Sequence, residues 1–312
     1  MGKRDRRIIH EWQNDSFGFF YTAGKTLHRG KTPFQSIELV ETREFGISLL
    51  LDGATQVVRK NEYQYHEPLV HPAMLAHPEP RSVLVIGGGD GGTLREVLRY
   101  RRVEHVDFVE LDRDVVEFSR RYLPEISAGA FDDPRVNIRF QDGRAFVESR
   151  KGRYDLVIMD MTDPAGPSRM LYTAEFFRAV RESLRDSRGL FSMHTESPVT
   201  SPSAFGRIRE TLRSVFGICA PLFTYIQMYS NLWSFAVASD SIDIRRLDAA
   251  AVDERIRREG LSDLKMLTGG TFTAMQAVYP YIREIMERDQ RIITDADPAI
   301  PDIVDPAGPG GI

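Results

Sequence analysis

A glycine-rich turn with an acid in its middle is the part of the sequence whose residue types most clearly suggest chemistry. The buried apolar run 83–86 leads into the turn 87–92, and Asp90 lies inside that turn. Glycines permit positive φ and let a ligand approach the backbone closely, as nucleotide sites require. The Asp90 carboxylate would repel phosphate, so the turn favours a nucleoside with a cationic end, such as an adenosyl sulfonium, over a pyrophosphate.

Acids also follow the next three apolar runs of the chain. Glu110 ends the second run, Asp142 and Gly143 follow the third, and Asp160 ends the fourth, with Asp163 three residues later. The carboxyl ends of parallel strands meet at one edge of a sheet, where open α/β sheets bind their ligands. The sequence therefore predicts a cluster of carboxylates at that edge.

Each of these acids matches a specific interaction. Glu110 follows Gly89 at about the 20-residue offset at which an acid accepts from ribose hydroxyls in Rossmann-type sites. Asp142 could accept from the adenine amine or cap the next helix, and both roles are compatible. Asp160 and Asp163 adjoin a loop rich in Pro and Gly that is long enough to act as a lid. Two carboxylates there would hold a cationic substrate.

A sheet must bring these strand ends together, and the apolar pattern predicts one. From residue 81 onward, five β/α alternations and then two adjacent strands indicate an α/β, Rossmann-like adenosylmethionine-transferase fold with a mostly parallel sheet and an antiparallel edge. Short alternating strands between residues 34 and 58, with an Asp52-Gly53 hairpin signal, predict a small N-terminal antiparallel β domain.

We therefore expect three parts in the chain. These are an N-terminal β-strand domain (residues 1–78), a Rossmann-like catalytic domain with C-terminal helices (79–297), and a mobile Pro- and Gly-rich tail (298–312). Strands of the first part and helices near the end of the second offer surfaces for a homodimer or homotetramer.

Composition narrows the class of protein. A net charge of −4 gives no basic field, so no nucleic-acid partner is expected. We find no signal peptide and no apolar stretch of membrane-spanning length, which predicts no membrane association. The lone Cys219 excludes a disulfide framework and indicates the cytoplasm, and the histidine spacing predicts no metal site.

Taken together, these motifs resemble the spermidine synthase family, the polyamine aminopropyltransferases, over roughly residues 34–286. Besides the glycine turn, the matching segments are Gln35, residues 51–56, Tyr65-His66-Glu67, and residues 109–112, 141–143 and 160–167. The resemblance implies transfer of an aminopropyl group from decarboxylated S-adenosylmethionine to a primary amine, with release of methylthioadenosine. The donor would be a co-substrate, and no tightly bound cofactor is implied.

The resemblance also implies roles for individual residues. Asp160 would accept a proton, with help from Tyr65, and Asp90 would hold the donor's ammonium group. The nucleoside would be held by Gln35, Gly87, Gly89, Glu110, Asp142 and Gly143. The amine would be lined, besides Asp90 and Asp160, by Tyr65, His66, Asp163, His194 and Tyr229.

The sequence departs from the family pattern on the amine side. Met161-Thr162 replaces the usual Ser-Ser, Asn61 replaces an acid, and His194 occupies the place of a glutamine. The segment that carries Tyr229 is one residue shorter before Trp233 than in members that use putrescine. The acceptor therefore stays open among putrescine, agmatine and a longer polyamine.

Two other functions fit parts of the sequence. The same fold could use ordinary S-adenosylmethionine, as an amine N-methyltransferase or a 3-amino-3-carboxypropyltransferase. Asp90 argues against these, because it would attract the donor's ammonium but repel the carboxylate that adenosylmethionine carries. A non-catalytic nucleoside-binding or assembly module would not need Asp160, Asp163 and Tyr65 at the reacting centre.

Overall fold

A computed structural model of the chain describes residues 7–14, 16–288 and 290–303, and its strands form two sheets. The first sheet is antiparallel, with five strands in chain order: β1 (Arg7–Trp12), β2 (Gly18–Lys31), β3 (Ser36–Thr42), β4 (Gly46–Leu51) and β5 (Ala54–Val58). Asp52 and Gly53, with φ of 49° and 85°, form the predicted hairpin turn between β4 and β5.

Strands β1 and β2 are additions to the strands that the sequence pattern predicts. One face of β1 carries the exposed residues Ile8, His10 and Trp12, and the other carries buried Ile9 and half-buried Glu11. Because apolar Ile8 and Trp12 lie on the exposed face and Glu11 on the covered face, apolar and polar residues do not alternate in the sequence as burial does in the strand.

Helix α1 (Tyr63–Ala76) leads into the second sheet, whose strands are β6 (Ser82–Gly87), β7 (His105–Glu110), β8 (Val136–Phe140), β9 (Leu156–Asp160), β10 (Leu190–His194), β11 (Ile218–Ile226) and β12 (Asn231–Ser239). Their spatial order is β11-β12-β10-β9-β6-β7-β8. Strands β8, β7, β6, β9 and β10 are parallel, and β12 is antiparallel to both β10 and β11. The predicted fold class is confirmed.

Both faces of the second sheet are covered, because successive residues of its central strands enter different cores. In β6, Val83 and Val85 pack into one apolar cluster with α1, whereas Leu84 and Ile86 pack into a second cluster on the other face. The continuous apolar runs of the sequence follow from this double burial. The remaining helices are α2 (Gly92–Leu98), α3 (Arg113–Tyr122), α4 (Pro124–Ser127), α5 (Gly143–Glu148), α6 (Ala174–Ser183), α7 (Pro202–Val215), α8 (Ala249–Glu259), α9 (Gly269–Met275) and α10 (Pro280–Glu287).

The beginning of the predicted mobile tail is packed against the protein. Ile300 is buried in the second core cluster, and the Asp302 carboxylate accepts hydrogen bonds from the first turn of α7. Within the Pro- and Gly-rich segment for which we predict mobility, residues 298–303 thus include one buried apolar residue and one helix-capping residue. Residues 304–312 lie outside the described part of the chain. In the described ranges, every helix is too short or too polar to cross a membrane.

Candidate active site

The glycine-rich turn lies directly against Asp160. Gly87, the last residue of β6, pairs in register with Asp160 at the end of β9. Gly87 and Gly88 have φ of 78° and 73°, and a Cβ atom on Gly88 would lie 2.8 Å from Oδ2 of Asp160. Larger residues would strain the turn and push it away from the carboxylate. The glycines therefore bring the backbone, and with it Asp90, close to Asp160.

Asp160 is half-buried and has two polar neighbours, Thr93 and Tyr65. Oδ2 accepts a hydrogen bond from Thr93 Oγ1 at 2.7 Å, and the Tyr65 hydroxyl interacts with the same carboxylate. Burial, followed by the charge of Asp90, raises the pKa of Asp160 to about 6, against the opposing effects of His66, Thr93 and Tyr65. Asp160 can thus take up and release a proton near neutral pH.

Asp90 belongs to a chain of alternating charges that runs behind the turn. Its Oδ1 accepts from Gly92 N at 2.6 Å and lies 3.4 Å from Nε2 of His66. His66 Nδ1 in turn lies 2.6 Å from Glu62 Oε2, which also pairs with Arg95 at 2.8 Å. Burial lowers the pKa of His66, but Asp90 and Glu62 outweigh it and raise the pKa to about 10. The imidazole is therefore a cation at neutral pH.

The pKa of Asp90 itself stays below its ordinary value, although burial acts in the opposite direction. The charge and hydrogen bond of His66 and the bond from Gly92 N outweigh that burial. Asp90 is thus ionised at neutral pH. His66, predicted on the amine side, lies between Asp90 and Glu62.

Glu110, Gln35 and Gly89 come together at the end of β7. Glu110 Oε1 accepts from Asp112 N at 2.9 Å, and Asp112 Oδ2 accepts from Gln35 Nε2 at 3.1 Å. A Cβ atom on Gly89 would lie 3.2 Å from Glu110 Oε2, so the glycine leaves room beside this carboxylate. Burial raises the pKa of Glu110 to about 7. Asp112 caps α3 and also anchors Gln35.

Asp142 and Gly143 lie beyond the end of the neighbouring strand β8. Asp142 Oδ1 accepts from Ala145 N at 2.7 Å and caps α5, as the helix-cap alternative predicts. A Cβ atom on Gly143 would lie 2.8 Å from Ile86, so the start of α5 packs against the end of β6. The Asp142 side chain is exposed, which leaves its remaining lone pairs accessible to a ligand.

An aromatic cluster lies on the other side of Asp160. The ring of Tyr65 is 6.2 Å from that of Tyr229 and 6.4 Å from that of His194. Trp233 completes the cluster, 4.7 Å from Tyr229 and stacked on His194 at 5.8 Å. Three residues predicted on the amine side, Tyr65, His194 and Tyr229, therefore share one wall with Trp233.

The hydrogen bonds of Tyr172 assign the tautomer of His194. The Tyr172 hydroxyl donates its single proton to Thr162 O at 2.9 Å and lies 2.8 Å from His194 Nε2. Nε2 must therefore carry the hydrogen and donate it to Tyr172. Burial lowers the pKa of His194 to about 4, against the opposing effect of a hydrogen bond with the Met161 backbone, so the ring is neutral. Within the described residues, Nδ1 is buried without a hydrogen-bond partner.

Three carboxyl groups extend this side of the site beyond Asp160. Asp163 interacts with Glu196, whose Oε1 lies 3.5 Å from His194 Nδ1, and Glu11 of β1 is close enough for the charge of Asp163 to raise its pKa. Burial is the largest influence on all three. It raises the pKa of Glu11 to about 7 and that of Glu196 well above its ordinary value, and it raises that of Asp163 to about 6 although the Asp163 residue is itself exposed to solvent.

Glu11 and Glu196 are site residues that the sequence interpretation missed. Glu11 lies on a strand that was not predicted. Glu196 lies near a strand end, as the recognised acids do, but Thr195 separates it from the last residue of β10. Its left-handed backbone conformation, with φ of 66°, could not be predicted from the sequence. Both contribute carboxyl groups to the side of the site that holds Asp163.

Two family models match the chain. Residues 62–248 match the model described as "Spermine/spermidine synthase domain", and residues 8–58 match "Spermidine synthase tetramerisation domain". The polyamine aminopropyltransferase of Nitrosomonas europaea is 40% identical over 281 residues, which cover 90% of this chain and 86% of the relative. Polyamine aminopropyltransferase 2 of Hyperthermus butylicus is 38% identical over 294 residues, covering 94% and 96%.

Solved structures of spermidine synthases are also similar to this chain. A spermidine synthase in complex with the transition-state analogue AdoDATO superposes with a TM-score of 0.84 at 33% identity, covering 92% of this chain and 98% of that one. The spermidine synthase of Thermotoga maritima also gives a TM-score of 0.84, at 34% identity, covering 91% and 95%.

Proposed function

This chain belongs to the spermidine synthase family, and its relatives include polyamine aminopropyltransferases. We propose that it transfers the aminopropyl group of decarboxylated S-adenosylmethionine to a primary amine. One observation carries the proposal. The Asp160 carboxylate, whose pKa is raised to about 6, lies between the glycine-rich turn with Asp90 on one side and the aromatic cluster with Asp163 on the other.

The chemistry needs a proton acceptor at this position. An alkylammonium has a pKa of about 10, so at neutral pH it lacks the lone pair that attacks the methylene group beside the sulfonium. Asp160 holds the amine in line and accepts its proton, with Tyr65 alongside. The nitrogen–carbon bond forms as the carbon–sulfur bond breaks, and the sulfur leaves as the neutral thioether methylthioadenosine.

The nucleoside part of the donor would lie over the ends of β7 and β8. Glu110 accepts from the ribose diol, and Gln35, anchored by Asp112, borders the same position. Gly87 and Gly89 allow the close approach. Asp142 accepts from the adenine amine while Gly143 keeps the backbone accessible to the ring.

Asp90 would hold the ammonium group of the donor. Behind the turn, His66 pairs with Asp90 and Glu62, and Arg95 pairs with Glu62 and Glu96, so both cations are balanced by acids and an added ammonium meets a nearby anion. A donor carboxylate at the same place would be repelled by Asp90. This arrangement supports the decarboxylated donor over S-adenosylmethionine.

The acceptor we propose carries more than one cationic nitrogen. Asp160 meets the attacking nitrogen, while Asp163, Glu196 and Glu11 offer carboxyl groups whose pKa values are raised by burial, an environment that a second cation would relieve. Putrescine, agmatine and longer polyamines all meet this requirement. Tyr229, Trp233 and neutral His194 supply the wall along the aliphatic part.

The test is a matrix of two donors and several amines. Purified enzyme is incubated with decarboxylated or ordinary S-adenosylmethionine and with putrescine, agmatine, spermidine or a monoamine, and the products are identified by mass. The proposal requires an aminopropyl adduct of at least one polycationic amine and methylthioadenosine in equal amount. Methylated or carboxypropylated amines, or better use of the monoamine, would contradict it.

We also propose that the first sheet mediates homo-oligomer formation, as a homodimer or homotetramer. Ile8, Trp12 and Phe20 are exposed on β1 and β2, within the segment that matches the tetramerisation domain. We further propose a cytoplasmic location, which we infer from the lone Cys219, and a donor that acts as a co-substrate without a tightly bound cofactor.

A further inference from the structure

The C-terminal segment runs antiparallel along helix α7. Ile293 N donates to Thr211 Oγ1 at 2.9 Å, and one turn nearer the start of the helix Arg207 donates to Ala299 O at 2.6 Å. Ile293 and Ile300 are buried against the same face of the protein. The segment is therefore attached along α7, and its last described residues reach the N-terminus of that helix.

Asp302 supplies the cap that α7 lacks. Its Oδ2 accepts from Ser203 N at 2.6 Å and its Oδ1 accepts from Ala204 N at 2.9 Å. Ser201, the residue at the N-cap position, makes no capping bond with its own side chain. The free N–H groups of a first turn need such a partner, and a negative charge there is favourable. A residue nearly a hundred positions away in the chain thus fixes the start of α7.

The loop before α7 carries Glu196. This residue has a φ of 66°, a conformation that costs a non-glycine residue energy and persists only when its surroundings impose it. Ser197 Oγ donates to Asn231 Oδ1 at 3.0 Å, and Asn231 Nδ2 donates to Thr200 Oγ1 at 2.6 Å, which holds the middle of the loop. Its far end is held by the capped first turn of α7.

Asp302 also affects Glu196 through its charge. Burial raises the pKa of Glu196 most, followed by the charges of Asp163 and Asp302. Glu196 also lies opposite neutral His194, and its charge in turn raises the pKa values of the Tyr172 and Tyr229 hydroxyls. Removing the Asp302 charge therefore shifts the ionisation of Glu196 to lower pH.

We propose that Asp302 is a positioning residue for the acceptor amine, acting through the start of α7 and the 195–201 loop on Glu196. The inference rests on the proposed function, since it needs an acceptor bound beside Glu196. The C-terminal segment should therefore affect binding of the acceptor but not binding of the donor. The residues proposed to hold the donor lie away from the start of α7; they are Glu110, Gln35 and Asp90.

The experiment compares Asp302→Asn and Asp302→Ala with Asp248→Asn. Asp248 caps α8 through Ala251 N at 2.7 Å, and so matches Asp302 in helix-capping role but not in place. We expect the acceptor KM to rise roughly fivefold in Asp302→Asn and further in Asp302→Ala, in line with the loss of a cap. The donor KM and methylthioadenosine affinity stay within about twofold, and Asp248→Asn leaves both KM values unchanged.

A pH profile separates positioning from a general loss of stability. In Asp302→Asn, the part of the acceptor kcat/KM profile that reports Glu196 should move to lower pH, because Glu196 no longer faces the like charge of Asp302, whereas a destabilised helix alone would leave the profile in place. An unchanged acceptor KM in variants that bind methylthioadenosine normally would overturn the inference alone. A wild-type enzyme that transfers no aminopropyl group to any amine would instead contradict the proposed function.

Discussion

Nε2 of His66 lies 3.4 Å from Oδ1 of Asp90, so the acid of the glycine-rich turn faces a buried imidazolium. His66 keeps Asp90 ionised although burial favours its protonated form. The imidazole ring also explains why residue 92 is a glycine, because a Cβ atom on Gly92 would lie 2.2 Å from Cε1 of His66. His66 therefore accounts both for the glycine at position 92 of the turn and for the ionised state of Asp90.

Asp90 should set the choice of donor. Asp90→Asn removes the anion that attracts the donor's ammonium and repels an α-carboxylate. We expect weaker binding of decarboxylated S-adenosylmethionine and a smaller preference over S-adenosylmethionine, by roughly 1–3 kcal/mol. Competition binding of the two donors measures this. Asp133→Asn is the control, because Asp133 lies at the opposite end of β8 from the site. An unchanged preference between the two donors in Asp90→Asn would show that Asp90 does not set donor choice.

Glu110 should determine nucleoside affinity. Glu110→Gln loses a charge-assisted hydrogen bond, which costs on the order of 1.5–3 kcal/mol, or roughly 10- to 100-fold in methylthioadenosine affinity by calorimetry. Glu104→Gln, an exposed acid just before β7, should change nothing. Since burial raises the pKa of Glu110 to about 7, wild-type affinity should rise with pH through that value, and the variant should lack this rise. Equal affinities would take Glu110 out of the site.

The buried carboxyls should make the free enzyme less stable as the pH rises. The pKa values of Asp160 and Glu11 are raised to about 6 and about 7, so the folded chain keeps protons that the unfolded chain loses near about pH 4. The free energy of unfolding therefore falls across this window. His66, with its pKa raised to about 10, contributes a loss of the same sign above about pH 6.5.

Calorimetric melting at about pH 5.5 and about pH 8 checks this expectation, with a lower Tm expected at the higher pH. Asp160→Asn should reduce the difference, because an amide has no proton to lose. The lowered pKa of His194 contributes a rise in stability only below about pH 6.5, so a wild-type Tm that rises over the whole interval would contradict the raised pKa values of Asp160, Glu11 and His66.

His194 should be the Nε2–H tautomer with an unprotonated Nδ1. Long-range ¹H–¹⁵N spectra of histidine-labelled protein report both nitrogens, and Tyr172→Phe should shift the Nε2 signal because it removes the acceptor of that proton. His194→Gln identifies the resonance. A protonated Nδ1 in the wild type would contradict the hydrogen-bond assignment on which the acceptor wall depends.

The sequence predicts the features that depend on local pattern. Apolar runs predict the strands of the second sheet, and the acids at their ends predict that Asp90, Glu110 and Asp160 gather at one edge. What it misses depends on long-range contacts. Glu11 lies on a strand whose apolar and polar residues do not alternate, Glu196 is held in a left-handed conformation by its surroundings, and Asp302 caps a helix that is distant from it in the sequence.

The rate of the chemical step in Asp160→Asn tests the central claim most directly. With donor bound in advance, rapid-quench measurement of a single turnover separates this step from binding and product release. We predict a fall of roughly 10²–10⁴-fold, because the amide cannot accept the amine's proton, with methylthioadenosine affinity nearly unchanged. Wild type should also lose rate as the pH falls through about 6, where Asp160 becomes protonated. A variant that keeps more than about a tenth of the wild-type rate would contradict the role of Asp160 as proton acceptor.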